Sequence, residues 1–210
     1  MQSISIRAKL IGFVEDPRRT FVRYPESDRS VPARYARAYA WHRDAQPQRA
    51  LAEVDSLLQT ASNDPYYLEL RGQILLESGR PREALEDLRT AVGRAPNEPL
   101  IAALFGHALI ATEDSTNFAE AERVLRRAVG RDNSNPFAWY QLGIVYEHNG
   151  DRARASLATA ERYNLQGQAR LALTSAEQAM LGIPVGTADW LRAQDIAMVS
   201  RSAVARERRR

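Results

Sequence analysis

The sequence predicts an all-α fold: a solenoid of about four to five helical hairpins, closed by a C-terminal capping helix. The first observation is a repeat, because hairpins that begin at Val31, Pro65, Pro99 and Pro136 align at offsets of 34, 34 and 37 residues. The second is a set of small residues that recur in register inside the helices. They are Ala38, Gly72, Gly106 and Gly143 in the first helices, and Ala50, Ala84, Ala121 and Ala155 in the second helices.

Turn signals divide the repeating part of the chain into helices. Asp64-Pro65 and Asn135-Pro136 each combine an N-cap residue with a proline in the first turn, and Gly79 suits the left-handed residue that closes a helix. The predicted helices are 32–45, 47–61, 65–78, 81–94, 98–113, 117–131, 136–149 and 151–165.

The small residues indicate close contact between helices. A glycine in a helix interior costs about 1 kcal/mol relative to alanine, so a close approach of the helices must compensate. Counting from the first residue of each hairpin, we expect positions 8 and 20 to face each other where the two helices cross. Position 27 then meets the next hairpin, and hairpins stack because none can bury its apolar face alone.

The pattern resembles the tetratricopeptide repeat, a 34-residue helix-turn-helix unit with Leu-Gly at positions 7 and 8. The fourth hairpin, WYQLGIVYEHNGDRARA, carries Trp139, Leu142, Gly143, Tyr146 and Ala155 in the required register. The predicted repeats are 31–64, 65–98, 99–135 and 136–167, the third of which has three extra residues around EDSTNF.

The two ends of the chain depart from the repeat. Residues 1–30 read as a leader helix over 4–14 followed by an irregular connector. Near the other end, Thr159 and Arg162 stand where the repeat has a large residue and Ala. Residues 168–210 are therefore predicted to hold a degenerate fifth repeat, a capping helix from about Ala188 and a basic tail.

Composition limits the class of protein. The net charge of +3 combines basic ends (+5 over residues 1–50 and +4 over 151–210) with an acidic middle (−6 over 51–150). Nucleic-acid binding favours a continuous basic stripe, so no nucleic-acid partner is predicted. The chain has no cysteine, no apolar run long enough for a transmembrane segment and no signal peptide at its start.

A wider resemblance covers nearly the whole chain. The phrases RAKLIGF, RYPESDRSVPARYARAYA, DPYYLELRGQILLESGR, ASLATAERYNLQGQARLAL and WLRAQDI look like the C-terminal half of bacterial zinc-metallopeptidases of the BepA type. This resemblance implies a periplasmic protein in which a separate peptidase domain holds the zinc. The absence of cysteine by itself suits the cytoplasm and the periplasm equally. The chain itself lacks the H-E-x-x-H motif, so it is predicted to have no catalytic residue, no metal site and no cofactor.

The repeat also indicates where a ligand would bind. In tetratricopeptide arrays the first helices line the concave face, mainly through positions 2, 5, 9, 12 and 13. The candidate peptide-binding residues are Tyr35, Tyr39, His42, Tyr66, Glu69, Gln73, His107, Tyr140, Ile144, Glu147 and His148. Tyrosines suit peptide recognition, although each would also pack well between neighbouring helices. Position 6 holds Gln141 and no asparagine, so the carboxylate clamp of chaperone-binding repeats is not expected.

Two functions agree with these observations. The first is a protein-interaction module that binds a peptide or client protein in a concave groove, for which the wider resemblance implies outer-membrane protein assembly or quality control beside a peptidase. The second is a structural or regulatory scaffold that docks in cis on its own peptidase domain or self-associates. An independent enzyme is disfavoured, because no pair of carboxylates, phosphate-binding loop or nucleophile-base spacing is present.

Overall fold

The computed structural model describes residues 15–207, and these residues form eleven α-helices, one short 3-10 helix at Ser115–Asn117 and no strand. The all-α prediction is confirmed. The α-helices are α1 (Pro17–Arg23), α2 (Val31–Arg43), α3 (Pro47–Leu58), α4 (Pro65–Glu77), α5 (Pro81–Arg94), α6 (Pro99–Ala111), α7 (Phe118–Arg131), α8 (Pro136–His148), α9 (Arg152–Leu165), α10 (Ala169–Gly182) and α11 (Ala188–Glu207).

The helix boundaries follow from capping chemistry. The Asp64 carboxylate accepts hydrogen bonds from two backbone N–H groups in the first turn of α4, and Asn135 does the same at the start of α8. Gly79 and Gly150 close α4 and α8 with φ of +76°, a conformation that glycine adopts without strain. The predicted bounds of α2 to α9 are therefore correct to within three residues.

The chain divides into two compact units, the first ending at Pro96 and the second beginning at Asn97. In unit 1, each helix from α1 to α5 packs on the next. In unit 2, each helix from α6 to α11 packs on the next, and α6 also contacts α8. None of the helices within residues 15–207 combines the length and the apolar character that crossing a bilayer requires.

Two of the position 8 glycines lie directly against the residue at position 24. A Cβ atom built on Gly72 would lie 2.5 Å from Cγ of Leu88, and one built on Gly106 would lie 2.5 Å from Cγ of Leu125. Both leucines occupy position 24. The leucine side chain fills the space that each glycine leaves, and at Gly143 the backbone oxygen of Ala155, at position 20, lies 4.0 Å from such a Cβ atom.

The segment before the first repeat is more regular than expected. Residues 17–23 were predicted to be irregular but form α1, which Pro17 opens and the Asp16 carboxylate caps by accepting from the Arg18 N–H at 2.9 Å. The Phe21 ring packs on Trp41 of α2 with its centroid 4.0 Å from the indole. The predicted leader helix over 4–14 lies outside the described residues.

The last helices pack through small side chains. Ala172, Ala176 and Ala179 form a buried stripe on α10, in one cluster with α9 and α11 residues such as Leu157 and Ile196. The Thr187 hydroxyl accepts from the Trp190 N–H at 3.3 Å and so caps α11, which begins at the predicted Ala188. Gly167, with φ of +70°, separates α9 from α10.

Candidate functional site

The predicted groove residues fall into two sets, one in each unit. We define the α2/α4 face of unit 1 by Tyr35, Tyr39, His42, Tyr66, Glu69 and Gln73, and the α6/α8 face of unit 2 by His107, Tyr140, Ile144 and Glu147 together with the exposed Leu100 and Phe137. Each face belongs to one unit.

Two tyrosines of the α2/α4 face are buried. Tyr35 and Tyr39 are each 2% exposed, and their rings meet edge to face with centroids 5.5 Å apart. Burial raises the pKa of both hydroxyls above the usual tyrosine value. These side chains offer almost no area to a ligand in this conformation and instead hold α2 against α4, where Tyr67 lies 5.7 Å from Tyr35.

The accessible polar groups of the α2/α4 face form one cluster. His42 Nε2 lies 2.5 Å from Glu77 Oε2, and the Gln73 amide donates to Glu77 Oε1 at 2.9 Å. These side chains line an open pocket of about 620 Å³. The pocket brings together three of the predicted residues, Tyr39, His42 and Gln73, and adds Glu77.

The remaining residues of this face differ in exposure. Tyr66, at position 2 of the second hairpin, is 37% exposed and lies two residues after Asp64, the N-cap of α4. Glu69 is buried near the two core tyrosines, whose pKa values its charge raises further. Only Tyr66 therefore presents a large apolar surface on the α2/α4 face.

The α6/α8 face is more accessible. Phe137 and Tyr140 of α8 are 41% and 47% exposed, and Leu100 of α6 is also exposed. His107 contacts Phe137 edge to face, with ring centroids 5.4 Å apart, which connects the two helices across the face. Ile144 is half-buried and Glu147 is exposed one turn beyond it.

His148 contacts the first residue of α7. Its ring stacks on Phe118 at the start of α7 with a centroid distance of 3.6 Å, and its Nδ1 lies 3.3 Å from the side-chain oxygen of Asn149. The three histidines thus have three different surroundings. Within the described range, no group of three or more His, Asp or Glu side chains lies close enough to hold a metal ion.

Sequence reasoning missed two arginines at position 7. Arg37 is 1% exposed, and its guanidinium donates to both carboxylate oxygens of Glu53, at 2.6 and 3.1 Å. The same guanidinium donates to the carbonyls of Pro25 and Asp28 at 2.8 and 2.7 Å. A buried arginine of this kind fixes the segment before the first repeat onto α2 and α3.

Arg71 is the equivalent residue one repeat later. It donates to both Asp87 oxygens, at 2.6 and 2.7 Å, and to Asp55 at 3.1 Å. Hydrogen bonding to Asp87 raises the pKa of the Arg71 guanidinium above its usual value. The available signal was an arginine at position 7, where the repeat has leucine.

Arg162 is a third arginine that the prediction noted only as a departure from the repeat. Its guanidinium carbon lies 5.0 Å from the ring centre of Tyr140 and 4.8 Å from that of Tyr163. Its Nε is buried and has no hydrogen-bond partner among the described residues. Gln141, at the clamp position, is buried and so is not available to a ligand.

Known proteins resemble the chain in sequence over one hairpin and in structure over most of its length. Residues 65–98 match the family described as tetratricopeptide repeat. No curated protein sequence matches the chain.

Three solved structures illustrate the likeness. YrrB, described as a TPR protein with an unusual peptide-binding site, has 21% identity and a TM-score of 0.61, covering 83% of this chain and 90% of its own. A MamA protein has 17% identity and a TM-score of 0.59, covering 98% and 96%. PilF of Pseudomonas aeruginosa has 14% identity and a TM-score of 0.56, covering 92% and 98%. Residues 65–98 are thus a tetratricopeptide repeat, and the chain has the all-α fold of tetratricopeptide-repeat solenoids.

Proposed function

We propose that this chain is a protein-interaction module that binds a segment of a client protein on the exposed faces of its first helices. The observation that carries the proposal is that Tyr66, Leu100, Phe137 and Tyr140 stay exposed although all four are large and apolar. They occupy positions 2 and 5 of the first helices, where tetratricopeptide arrays bind their partners. The peptide-binding site in the description of YrrB is a property of that protein, and we carry peptide binding over to this chain as part of the proposal.

The physical basis is the kind of side chain that remains accessible. Tyrosine and phenylalanine bury a large area on binding and lose little rotamer freedom, so they are frequent anchors in protein interfaces. On the α6/α8 face, Phe137 and Tyr140 lie three residues apart, and the edge-to-face contact with His107 orients the Phe137 ring. A client segment can therefore bury apolar side chains against an ordered surface.

Selection of peptides from a random library tests the proposal. Peptides selected on the wild-type chain are titrated against a Tyr66→Ala, Phe137→Ala double variant, which changes two exposed side chains and keeps the buried tyrosines. We expect at least a tenfold loss of affinity, because truncating an anchor residue costs about 1.4 kcal/mol or more. A Glu86→Ala, Arg123→Ala variant, changed at exposed residues of second helices, is the matched control. Equal affinity of all three proteins would remove the first-helix faces as the binding surface.

We further propose that the module acts beside a zinc-metallopeptidase domain in the periplasm, in assembly or quality control of outer-membrane proteins. This proposal is supported by segments such as RYPESDRSVPARYARAYA and ASLATAERYNLQGQARLAL, which resemble the C-terminal half of zinc-metallopeptidases of the BepA type. The test mixes this chain with a separately expressed peptidase domain of the BepA type and measures the masses of the species in the mixture by light scattering. Two independent monomers would contradict a direct association, whereas a complex that a selected peptide displaces would favour docking in cis.

A further inference from the structure

Arg162 has an environment that the repeat does not explain. It stands at position 27 of the fourth hairpin, where Leu57, Ala91 and Ala128 stand in the other three. The guanidinium contacts the rings of Tyr140 on α8 and Tyr163 on α9, at 5.0 and 4.8 Å. Cations are attracted to the faces of aromatic rings, so these two contacts fix the orientation of the guanidinium.

The guanidinium has no anionic partner among residues 15–207. Its Nε is buried without a hydrogen-bond acceptor, and its two Nη atoms make no hydrogen bond within residues 15–207 and remain open to solvent. Glu161, the neighbouring carboxylate in the chain, is instead paired with Arg192 of α11 at 3.1 Å. Most partly buried arginines of this protein pair with a carboxylate, as Arg37, Arg71 and Arg154 do. An oriented and unpaired charge is therefore available to a ligand.

Apolar surface lies beside this charge. Tyr140, which stacks on the guanidinium, is exposed together with Phe137, one turn earlier on the same helix. Leu165 is exposed one turn after Arg162 on α9. A ligand that satisfies the arginine would thus combine a carboxylate with nearby apolar groups.

We propose that Arg162 binds the carboxylate of an aspartate or glutamate side chain in a client peptide, whose neighbouring apolar side chains pack on Phe137 and Tyr140. This inference rests on the proposed function and names the chemistry of the client. The two accessible Nη groups match the two oxygens of a carboxylate, which gives paired charge-assisted hydrogen bonds. A side-chain carboxylate fits better than a chain terminus, because a terminus needs further donors and the clamp-position Gln141 is buried.

Three defined peptides test the assignment by fluorescence anisotropy. The first alternates glutamate with leucine and phenylalanine and is blocked at both ends. The second has glutamine in place of every glutamate, and the third is this glutamine peptide with a free C-terminal carboxylate. The proteins are the wild type, Arg162→Met, Arg162→Lys and the matched control Arg127→Met. Arg127 is exposed on α7 and has no ring or ion-pair contact among the described residues.

We expect Arg162→Met to lower the affinity for the glutamate peptide roughly tenfold to a hundredfold, which is the effect of losing a hydrogen bond between charged groups. The affinity for the glutamine peptide should stay nearly unchanged. Arg162→Lys keeps the charge but loses the planar stack, so its affinity should be intermediate. Arg127→Met should bind both peptides as the wild type does. Circular dichroism melting of each variant reports whether the helices remain folded.

Other results would overturn the assignment. Equal weakening by Arg127→Met and Arg162→Met would indicate general charge attraction, and an Arg162 dependence confined to the free-terminus peptide would indicate recognition of a chain terminus. If the glutamate peptide binds through Phe137 but ignores Arg162, the carboxylate site is wrong while the proposed function stands. If none of the peptides binds and library selection yields no ligand, both proposals fail. If Arg162→Met loses helical structure, Arg162→Lys becomes the deciding variant. An unchanged affinity of Arg162→Lys for the glutamate peptide would then contradict the assignment.

Discussion

The hairpins of unit 1 and the first two hairpins of unit 2 have the same helical architecture but are held together differently at position 7. In unit 1 this position carries Arg37 and Arg71. Each is paired with a carboxylate at position 23 of its hairpin, which lies in the second helix. In unit 2 the same two positions carry Phe105 with Val124, and Leu142 with Ala158. An ion pair and a pair of apolar residues therefore occupy the same two positions of the hairpin.

The difference shows what the arginines add. An apolar residue at position 7 makes no side-chain hydrogen bond, whereas each arginine also binds the element before its own hairpin. Arg71 reaches Asp55 of α3, and Arg37 reaches the backbone carbonyls of Pro25 and Asp28. Because a buried ion pair costs desolvation energy, its advantage over an apolar pair lies in this additional link and in the orientation it imposes.

The largest expected effect is that of Arg37→Leu. This change leaves the partly buried Glu53 without its bidentate partner and the Asp28 carbonyl without its arginine donor, so the free energy of unfolding should fall by about 3 to 5 kcal/mol. Arg34→Leu is the control, because Arg34 contacts the same Glu53 at 3.4 Å and is more exposed. Its loss should be about 1 kcal/mol or less. Urea unfolding measures both values, and equal losses would show that burial of Arg37 is unimportant.

A second prediction converts one hairpin of unit 1 into the type found in unit 2. Arg71→Leu alone leaves the buried Asp87 unpaired, and we expect a loss of about 2 to 3 kcal/mol. Adding Asp87→Ala copies the Leu142 and Ala158 pair and should recover stability to within about 1 kcal/mol of the wild type, because no buried charge remains unpaired. A double variant whose loss equals the sum of the single losses would contradict the equivalence of the two pairs.

A smaller effect is expected at Gly72. Alanine there places a Cβ atom 2.5 Å from Leu88, so the leucine must move within a close-packed site. Overpacking costs about 1 to 3 kcal/mol and the helix propensity of alanine returns about 1 kcal/mol, so Gly72→Ala should lose up to about 2 kcal/mol. Adding Leu88→Val copies Ala38 and Val54 of the first hairpin and should restore stability. Thermal melting that finds no recovery would show that Leu88 is not the obstacle.

The smallest effect, and one of opposite sign, is expected at Gly143. A Cβ atom there would make an ordinary contact with Ala158 at 3.6 Å, because position 24 of this hairpin is Thr159 and not leucine. Gly143→Ala should therefore stabilise the chain by up to about 1 kcal/mol through helix propensity. The melting temperature is compared with that of Gly72→Ala, which is the matched control because it carries the same substitution at the same repeat position. A destabilised Gly143→Ala would mean that the two glycines share one role.

The candidate site was less predictable than the helices. Repeat positions identified Tyr66 and Tyr140 as inner-face residues, and both are exposed in the structure. The same positions identified Tyr35 and Tyr39, which the packing of α2 against α4 buries. Periodicity assigns a residue to a helix face, but its accessibility depends on the size of side chains on the neighbouring helix. The sequence pattern of one hairpin does not specify the side chains that pack against it from the next hairpin.

The sequence by itself determined the helices, their bounds and their order, because capping residues, prolines and small residues at a fixed interval act over a few neighbouring positions. The tertiary structure decided which atoms meet. It set Leu88 against Gly72, buried Arg37 under the segment before the first repeat and left Arg162 stacked on Tyr140 without a carboxylate. These contacts join side chains distant in sequence, and their outcome depends on volume and desolvation at each site, which no local pattern specifies.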